Sequence, residues 1–250
     1  MPARGAEPPG VTNEQNAGEA VRSMFNAIAH RYDFLNHLLS FNIDRLWWRR
    51  AARSFRPVLQ RPNAVVLDLC CGTGDMTMAL ARHRPPSGVP MLAIDFAHEM
   101  LQRGEKKFAA CGAIPIEADA LAMPVADSST DLVVSAFGFR NLASYEAGLR
   151  EVYRVLRPGG ELGILDFGEP GGVVGKLYQF YFRRVLPRVG DFLSGTKGPY
   201  QYLPRSVHRF PPPQEMLALL RACGFEQTSW TPYTFGVAGL YRAVRPTQSM

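Results

Sequence analysis

From residue 20 to 56, apolar side chains recur at helical spacing: Val21, Met24, Phe25, Ile28, Leu35, Leu38 and Leu39. This predicts a helical cap ahead of the main fold. After Pro57 to Pro62 the period changes. Short apolar runs suited to buried strands, near 64–69, 91–95, 114–117, 131–135 and 161–167, alternate with stretches of helical period near 75–83, 98–110 and 144–156. Gly159-Gly160, after Pro158, marks a turn between the last of these helices and its strand. Between Phe167 and Pro213 the alternation lapses into an insert whose segment from Leu177 to Leu186 is dense in Phe, Tyr and Arg. Gln214 to Cys223 then reads as a helix closed by Gly224, and 226–234 with 237–244 as an antiparallel hairpin. The sum is an α/β fold, doubly wound, with a mostly parallel seven-stranded sheet, an antiparallel edge hairpin and a helical N-terminal cap.

A single domain over 21–245 accounts for this layout, with the cap at 21–60 and a lid insert at 168–212. Residues 1–20, rich in Pro, Gly and Glu, are expected to be a disordered tail, and 246–250 a second tail. The net charge of +6 is modest. Its carriers are scattered, with pairs at Arg49-Arg50, Lys106-Lys107 and Arg183-Arg184, so no nucleic-acid partner is expected, whereas an anionic membrane surface would attract them. The four cysteines lack zinc-site spacing and suit a reducing compartment. No apolar run reaches the roughly 18–20 residues that cross a bilayer, so a cytoplasmic protein is expected, with peripheral contact at the inner face of the cytoplasmic membrane. The edge hairpin offers a strand against which a second copy could pair, giving a homodimer.

The chemistry is concentrated in five elements that follow one another in a fixed order. They are Val65 to Asp75 (VVLDLCCGTGD), Ala93-Ile94-Asp95, Ala118-Asp119-Ala120, Asp127 to Val134, and Arg154 to Gly160. An apolar strand running into a turn with Gly72 and Gly74 lets a ligand lie against backbone, and an acid ending the next strand, Asp95, is placed to accept from a ribose diol. A dinucleotide reader needs a third glycine where this chain has Thr77. S-adenosylmethionine carries no phosphate, and its amino-acid end needs polar backbone and a carboxylate, which Asp68 and Gly72 to Gly74 are expected to supply. Methyl transfer from a sulfonium needs no metal.

Three further motifs narrow the reading: Tyr32 to Asn36 (YDFLN), Ser40 to Trp47 (SFNIDRLW) and Phe137 to Asn141 (FGFRN). With them the chain, from about Val21 to Arg245, resembles the quinone-biosynthesis C-methyltransferases, the demethylmenaquinone and 2-methoxy-6-polyprenyl-benzoquinol methyltransferases of the class I, Rossmann-like superfamily. The resemblance implies cofactor contact at Thr73, Asp95, Asp119 and Ala120, and a polyprenylated quinol as substrate. The chain departs from the family pattern before Tyr200-Gln201-Tyr202-Leu203, where Lys197 replaces an acidic stretch. It departs again at Tyr241 and Asp44, where a histidine is common.

Carbon methylation requires an electron-rich ring, hence a reduced quinol with its hydroxyl ionised or strongly hydrogen-bonded. Arg140, Asn141 and Tyr32 are the expected catalytic residues, stabilising developing phenolate charge; Arg140 acts electrostatically, since a guanidinium is a poor base. Demethylmenaquinol is the expected acceptor. A ubiquinone-pathway benzoquinol and N- or O-methylation of a small amine or phospholipid are the alternatives. The segment from Leu177 to Leu186 suits either the membrane interface or a roof over the active site.

Overall fold

The computed structural model describes residues 5, 6, 8, 14–29, 40, 42–172, 175 and 199–247. Tyr32, and the segment from Leu177 to Leu186, lie outside them. The described strands form one sheet in the order β3-β2-β1-β4-β5-β7-β6, where β1 is Val66–Leu69, β2 Leu92–Asp95, β3 Ile114–Glu117, β4 Thr130–Ala136, β5 Leu156–Phe167, β6 Glu226–Tyr233 and β7 Ala238–Val244. β1 to β5 run parallel, and β7 pairs antiparallel with both β5 and β6. The expected seven-stranded sheet with its edge hairpin is therefore present. β1 is buried at all four positions, as a central parallel strand covered on both faces must be.

The helices that flank the sheet include α1 (Glu14–Ile28), α2 (Ile43–Ser54), α3 (Arg56–Leu59), α4 (Asp75–Ala81), α5 (His98–Cys111), α6 (Tyr145–Val155), α7 (Pro199–Arg209) and α8 (Pro213–Ala222). Local chemistry sets their ends. Ser144 caps α6 by accepting the Ala147 N–H, Pro213 occupies the first turn of α8, and Gly112 closes α5 in the left-handed region.

Three boundaries differ from the sequence expectation. α1 begins at Glu14, inside the stretch expected to be a disordered tail, and Ala6 is buried with its N–H on the Leu142 carbonyl. Val21 packs with Ala6 and Tyr202, so the helix gains tertiary burial that its composition does not announce. β5 begins at Leu156, not 161: its pairing with β4 jumps from Thr130↔Leu156 to Leu132↔Glu161, so the Pro-Gly-Gly turn becomes a bulge within the strand. Within the insert, 199–209 is helical. Among the described residues no helix is long and apolar enough to cross a membrane.

Strand order reverses direction between β1 and β4, and the carboxyl ends of those strands flank the crevice where such sheets place ligands. Cys70 follows β1 and Phe137 follows β4, both at left-handed φ (55° and 59°). Gly138 lies so close to the first loop that a Cβ there would stand 2.3 Å from the Cys70 Cβ. Glycine at 138 is thus required by the approach of the two loops.

Candidate functional site

On the β1 side of the crevice, the carboxylates meet backbone and hydroxyl donors. Asp95, at the end of β2, accepts the Gly72 N–H at Oδ2 (2.8 Å) and the Ala97 N–H at Oδ1 (2.9 Å). Each oxygen keeps a second lone pair, so the carboxylate is aimed by the backbone yet able to accept a diol. Burial raises its pKa, against the backbone N–H bonds that lower it. Asp68 is fully buried in β1. Its Oδ2 accepts the Thr77 hydroxyl at 2.6 Å, while Oδ1 has no hydrogen-bond partner among the described residues. Burial above all, opposed by the Thr77 bond and reinforced by Asp95, pushes Asp68 up to about 7.

An orphaned carboxylate oxygen beside a left-handed glycine turn fits the ammonium of the methyl donor's amino-acid end, and Asp95 fits its ribose. The position that sequence reasoning treated only as a missing glycine, Thr77, is the residue that fixes Asp68. Gly74 also differs from expectation: at φ 87°, a Cβ there would meet the Phe108 ring of α5 at 2.6 Å, so its small size serves helix packing more than ligand approach. Thr73 is buried, and Lys107 Nζ donates to its Oγ1 (3.1 Å) and to Asp75 Oδ1 (2.8 Å). Asp119 is exposed in the loop after β3, its Oδ1 taking the Leu121 N–H, and Ala120 beside it is buried.

Across the crevice, the turn Phe139–Asn141 follows β4. Arg140 is only 5% exposed. Its Nη1 donates to Asp166 Oδ1 (3.0 Å) and to the Phe137 carbonyl, and its backbone N–H donates to Asp166 Oδ2 (3.1 Å). Asp166, near the end of β5, is buried and also accepts the Phe167 N–H at 2.9 Å. Burial raises its pKa and the Arg140 guanidinium pulls it back down. The guanidinium is therefore one half of a buried ion pair, with Cζ 5.3 Å from the Phe167 ring centroid, and not a lone cation over the crevice. Asn141 Oδ1 and the Tyr202 hydroxyl are both buried and lack a hydrogen-bond partner among the described residues. Burial, eased by Arg140 and Arg209, pushes Tyr202 up to about 12.

The structure thus groups Asp68, Gly72, Thr73, Gly74 and Asp95 on one side of the crevice, and Arg140 and Asn141 on the other. Sequence reasoning missed Asp166 and Tyr202. Tyr202 stood in a quoted motif, whereas Asp166 shows its role only once β5 is laid beside β4.

A model of the ubiE/COQ5 methyltransferase family matches residues 11–245. A demethylmenaquinone methyltransferase of Deinococcus radiodurans is 43% identical over 237 residues, covering 93% of this chain and 95% of that protein. One from Thermus thermophilus is 45% identical over 226 residues, covering 89% and 100%. A ubiquinone/menaquinone biosynthesis C-methyltransferase, UbiE, of Geotalea daltonii is 43% identical over 229 residues, covering 90% and 95%. Among solved structures, a SAM-dependent methyltransferase of Thermotoga maritima superposes with TM-score 0.61 at 17% identity, covering 89% of this chain and 98% of that one. Another from Aquifex aeolicus gives 0.58 at 19%, covering 80% and 92%. At such identities the structural likeness shows the fold alone.

Proposed function

The chain belongs to the ubiE/COQ5 methyltransferase family, and on that premise we propose that it is a SAM-dependent C-methyltransferase of respiratory quinone biosynthesis acting on a reduced, polyprenylated quinol, demethylmenaquinol foremost. Two of the relatives carry the demethylmenaquinone name alone, which favours the naphthoquinol. The broader name of the Geotalea protein favours a benzoquinol as second reading. The observation that carries the proposal is the juxtaposition, across one crevice, of a turn holding buried carboxylates suited to a cationic donor and a buried Arg140–Asp166 shoulder.

When bound, S-adenosylmethionine supplies an electrophilic methyl whose leaving group is a neutral thioether. The residues of the chain bind and align. Asp95 would accept from the donor's ribose diol, Asp68 Oδ1 would receive its ammonium, the Gly72 to Gly74 backbone and Thr73 would hold its amino-acid end, and Asp119 with Ala120 would hold its adenine. On the acceptor side, Asp166 holds Arg140 so that its positive charge lies toward the ring oxygen. The Tyr202 hydroxyl donates to that oxygen as phenolate charge develops, and Asn141 Oδ1 accepts from it while it is still protonated; Tyr32, nominated by its motif, is the third catalytic residue of the proposal. A lipid acceptor also calls for peripheral contact with an anionic membrane surface.

The test offers the purified protein a labelled methyl donor with a tail-truncated demethylmenaquinol, a benzoquinol or a small amine. Label on the naphthoquinol ring carbon is expected. Label only on the amine, or calorimetry showing no uptake of the donor by folded protein, overturns the proposal.

A further inference from the structure

We propose that the amino-terminal end of α2 and the turn Thr234–Gly236 between β6 and β7 form one face that docks the protein on an anionic lipid bilayer. This deepens, and rests on, the reading of the acceptor as a lipid quinol.

Five large apolar side chains stand exposed among the described residues, and three of them belong to this face: Ile43 (37%), Leu46 (62%) and Phe235 (82%). Ile43 and Leu46 lie three residues apart on α2 and so project from the same side of the helix. α2 is fastened to the turn: Trp47 Nε1 donates to Thr234 Oγ1 at 2.8 Å, and the Arg50 guanidinium lies 4.2 Å from the Tyr233 ring centroid. Apolar residues at opposite ends of the domain's sequence are thereby brought to one surface.

The turn is built at a cost. Thr234, Phe235 and Gly236 all have left-handed φ, at 46°, 58° and 92°. Asn or Gly would adopt the first two conformations with less strain, and a bulky aromatic there is an outlier. A chain that places Phe at such a position and leaves it in water gains nothing in folding, so the gain is sought outside the molecule.

Charge identifies the occupant. Exposed Arg45, Arg49 and Arg50 share α2 with Ile43 and Leu46, whereas the one acid on α2, Asp44, is buried with its Oδ1 on the Arg45 N–H. Apolar side chains at the acyl boundary with arginines at headgroup level is the arrangement that binds anionic lipid. A second copy docking through the same face would set these arginines against their equivalents, which disfavours self-association.

Position supplies the use. Phe167, near the end of β5, pairs with Ala238, and the Gly168 N–H donates to the Val237 carbonyl, so the turn sits at the carboxyl edge that carries the site. From the turn, an aromatic cluster leads inward: Trp47 lies 5.8 Å from Phe137 and 6.1 Å from Phe167, those two rings lie 4.6 Å apart, and Phe167 lies under Arg140. A quinol whose tail remains in the bilayer would meet the site beside the docking face.

The experiment sediments the full chain with vesicles of phosphatidylcholine alone and of phosphatidylcholine with phosphatidylglycerol. Binding to the anionic vesicles that weakens with salt is expected. The surface double variant Leu46→Ser/Phe235→Ser should lower the partition coefficient about tenfold or more, and Arg45→Glu/Arg49→Glu should abolish the preference for phosphatidylglycerol. Both should methylate a tail-truncated quinol in solution at the parent rate. No vesicle binding by the parent chain, binding unchanged in both variants, or a dimer that the double variant splits while its vesicle binding persists, overturns the docking face. Failure of the parent to methylate the truncated quinol overturns the catalytic reading instead, whatever the vesicles show.

Discussion

Two groups of buried carboxylate stand on either side of one crevice, and the protein neutralises them in different ways. On the β1 side, Asp68 and Asp95 are held by a hydroxyl and by backbone N–H groups, and among the described residues no guanidinium or ammonium pairs with either. On the β5 side, Asp166 is met by Arg140. The first arrangement leaves anionic capacity to be balanced by a ligand, which suits a donor carrying an ammonium and a sulfonium. The second is balanced within the fold, so it presents fixed polarity to the acceptor without asking it to bring a charge. A methyltransferase joining a cationic donor to a neutral quinol benefits from this division.

The sharpest way to break the contrast is to remove one carboxylate from each side. Asp166→Ala strands a buried guanidinium and should cost about 3–5 kcal/mol in urea denaturation. The paired replacement Arg140→Met/Asp166→Leu should recover most of that stability while turnover stays down about 10²-fold and donor affinity holds. Normal turnover in the paired variant would reduce Arg140 and Asp166 to packing. On the other side, Asp68→Asn should leave the fold intact and weaken the donor about 10- to 100-fold by calorimetry, the loss of one charge-assisted contact. Unchanged affinity would remove Asp68 from the donor site.

The hinge between the two sides can be tested with one methyl group. Gly138→Ala would drive a Cβ to 2.3 Å from the Cys70 Cβ, forcing the loops after β1 and β4 apart. The expected loss is about 1–3 kcal/mol of stability, with donor and acceptor kinetics both impaired because the change lies where the two sides meet. Cys70→Gly in the same chain should return part of the loss; no recovery would place the strain elsewhere.

How far these sides were legible in the sequence follows from how local each is. The donor side is written in one strand, one turn and the next strand, so Asp68, Gly72, Gly74 and Asp95 could be nominated from order alone, and Thr73 by the resemblance. Even there, Thr77 declared itself only as an absent glycine, since its bond to Asp68 spans a turn of unknown shape. The acceptor side is assembled across β4, β5 and α7. Arg140 and Asn141 stood out by motif, but Asp166 is 26 residues from Arg140 and lies near the end of a strand like many others, so its partner emerges only from the parallel register of β4 and β5. The left-handed Phe235 was illegible for a related reason: φ is imposed by the hairpin, and nothing in Thr-Phe-Gly announces it.

The change that touches the fewest atoms, and the most direct reading of the contrast, is a proton. Burial lifts Asp68 from 3.8 to about 7, so between those values the folded protein holds a proton that the unfolded chain has lost. The sign follows: without donor, this group leaves stability untouched below about pH 4, erodes it as pH rises toward about 7 with a slope of at most about 1.4 kcal/mol per pH unit, and adds no further loss above that. Denaturation of the donor-free protein at several pH values should show this slope, and Asp68→Asn should flatten it. A cationic donor favours the ionised carboxylate, so its affinity should rise with pH through the same window. Binding near pH 6 should release up to one proton, measured by calorimetry in two buffers of different ionisation enthalpy. Proton release equal in the parent and in Asp68→Asn would mean that the donor's charge is met by some other group.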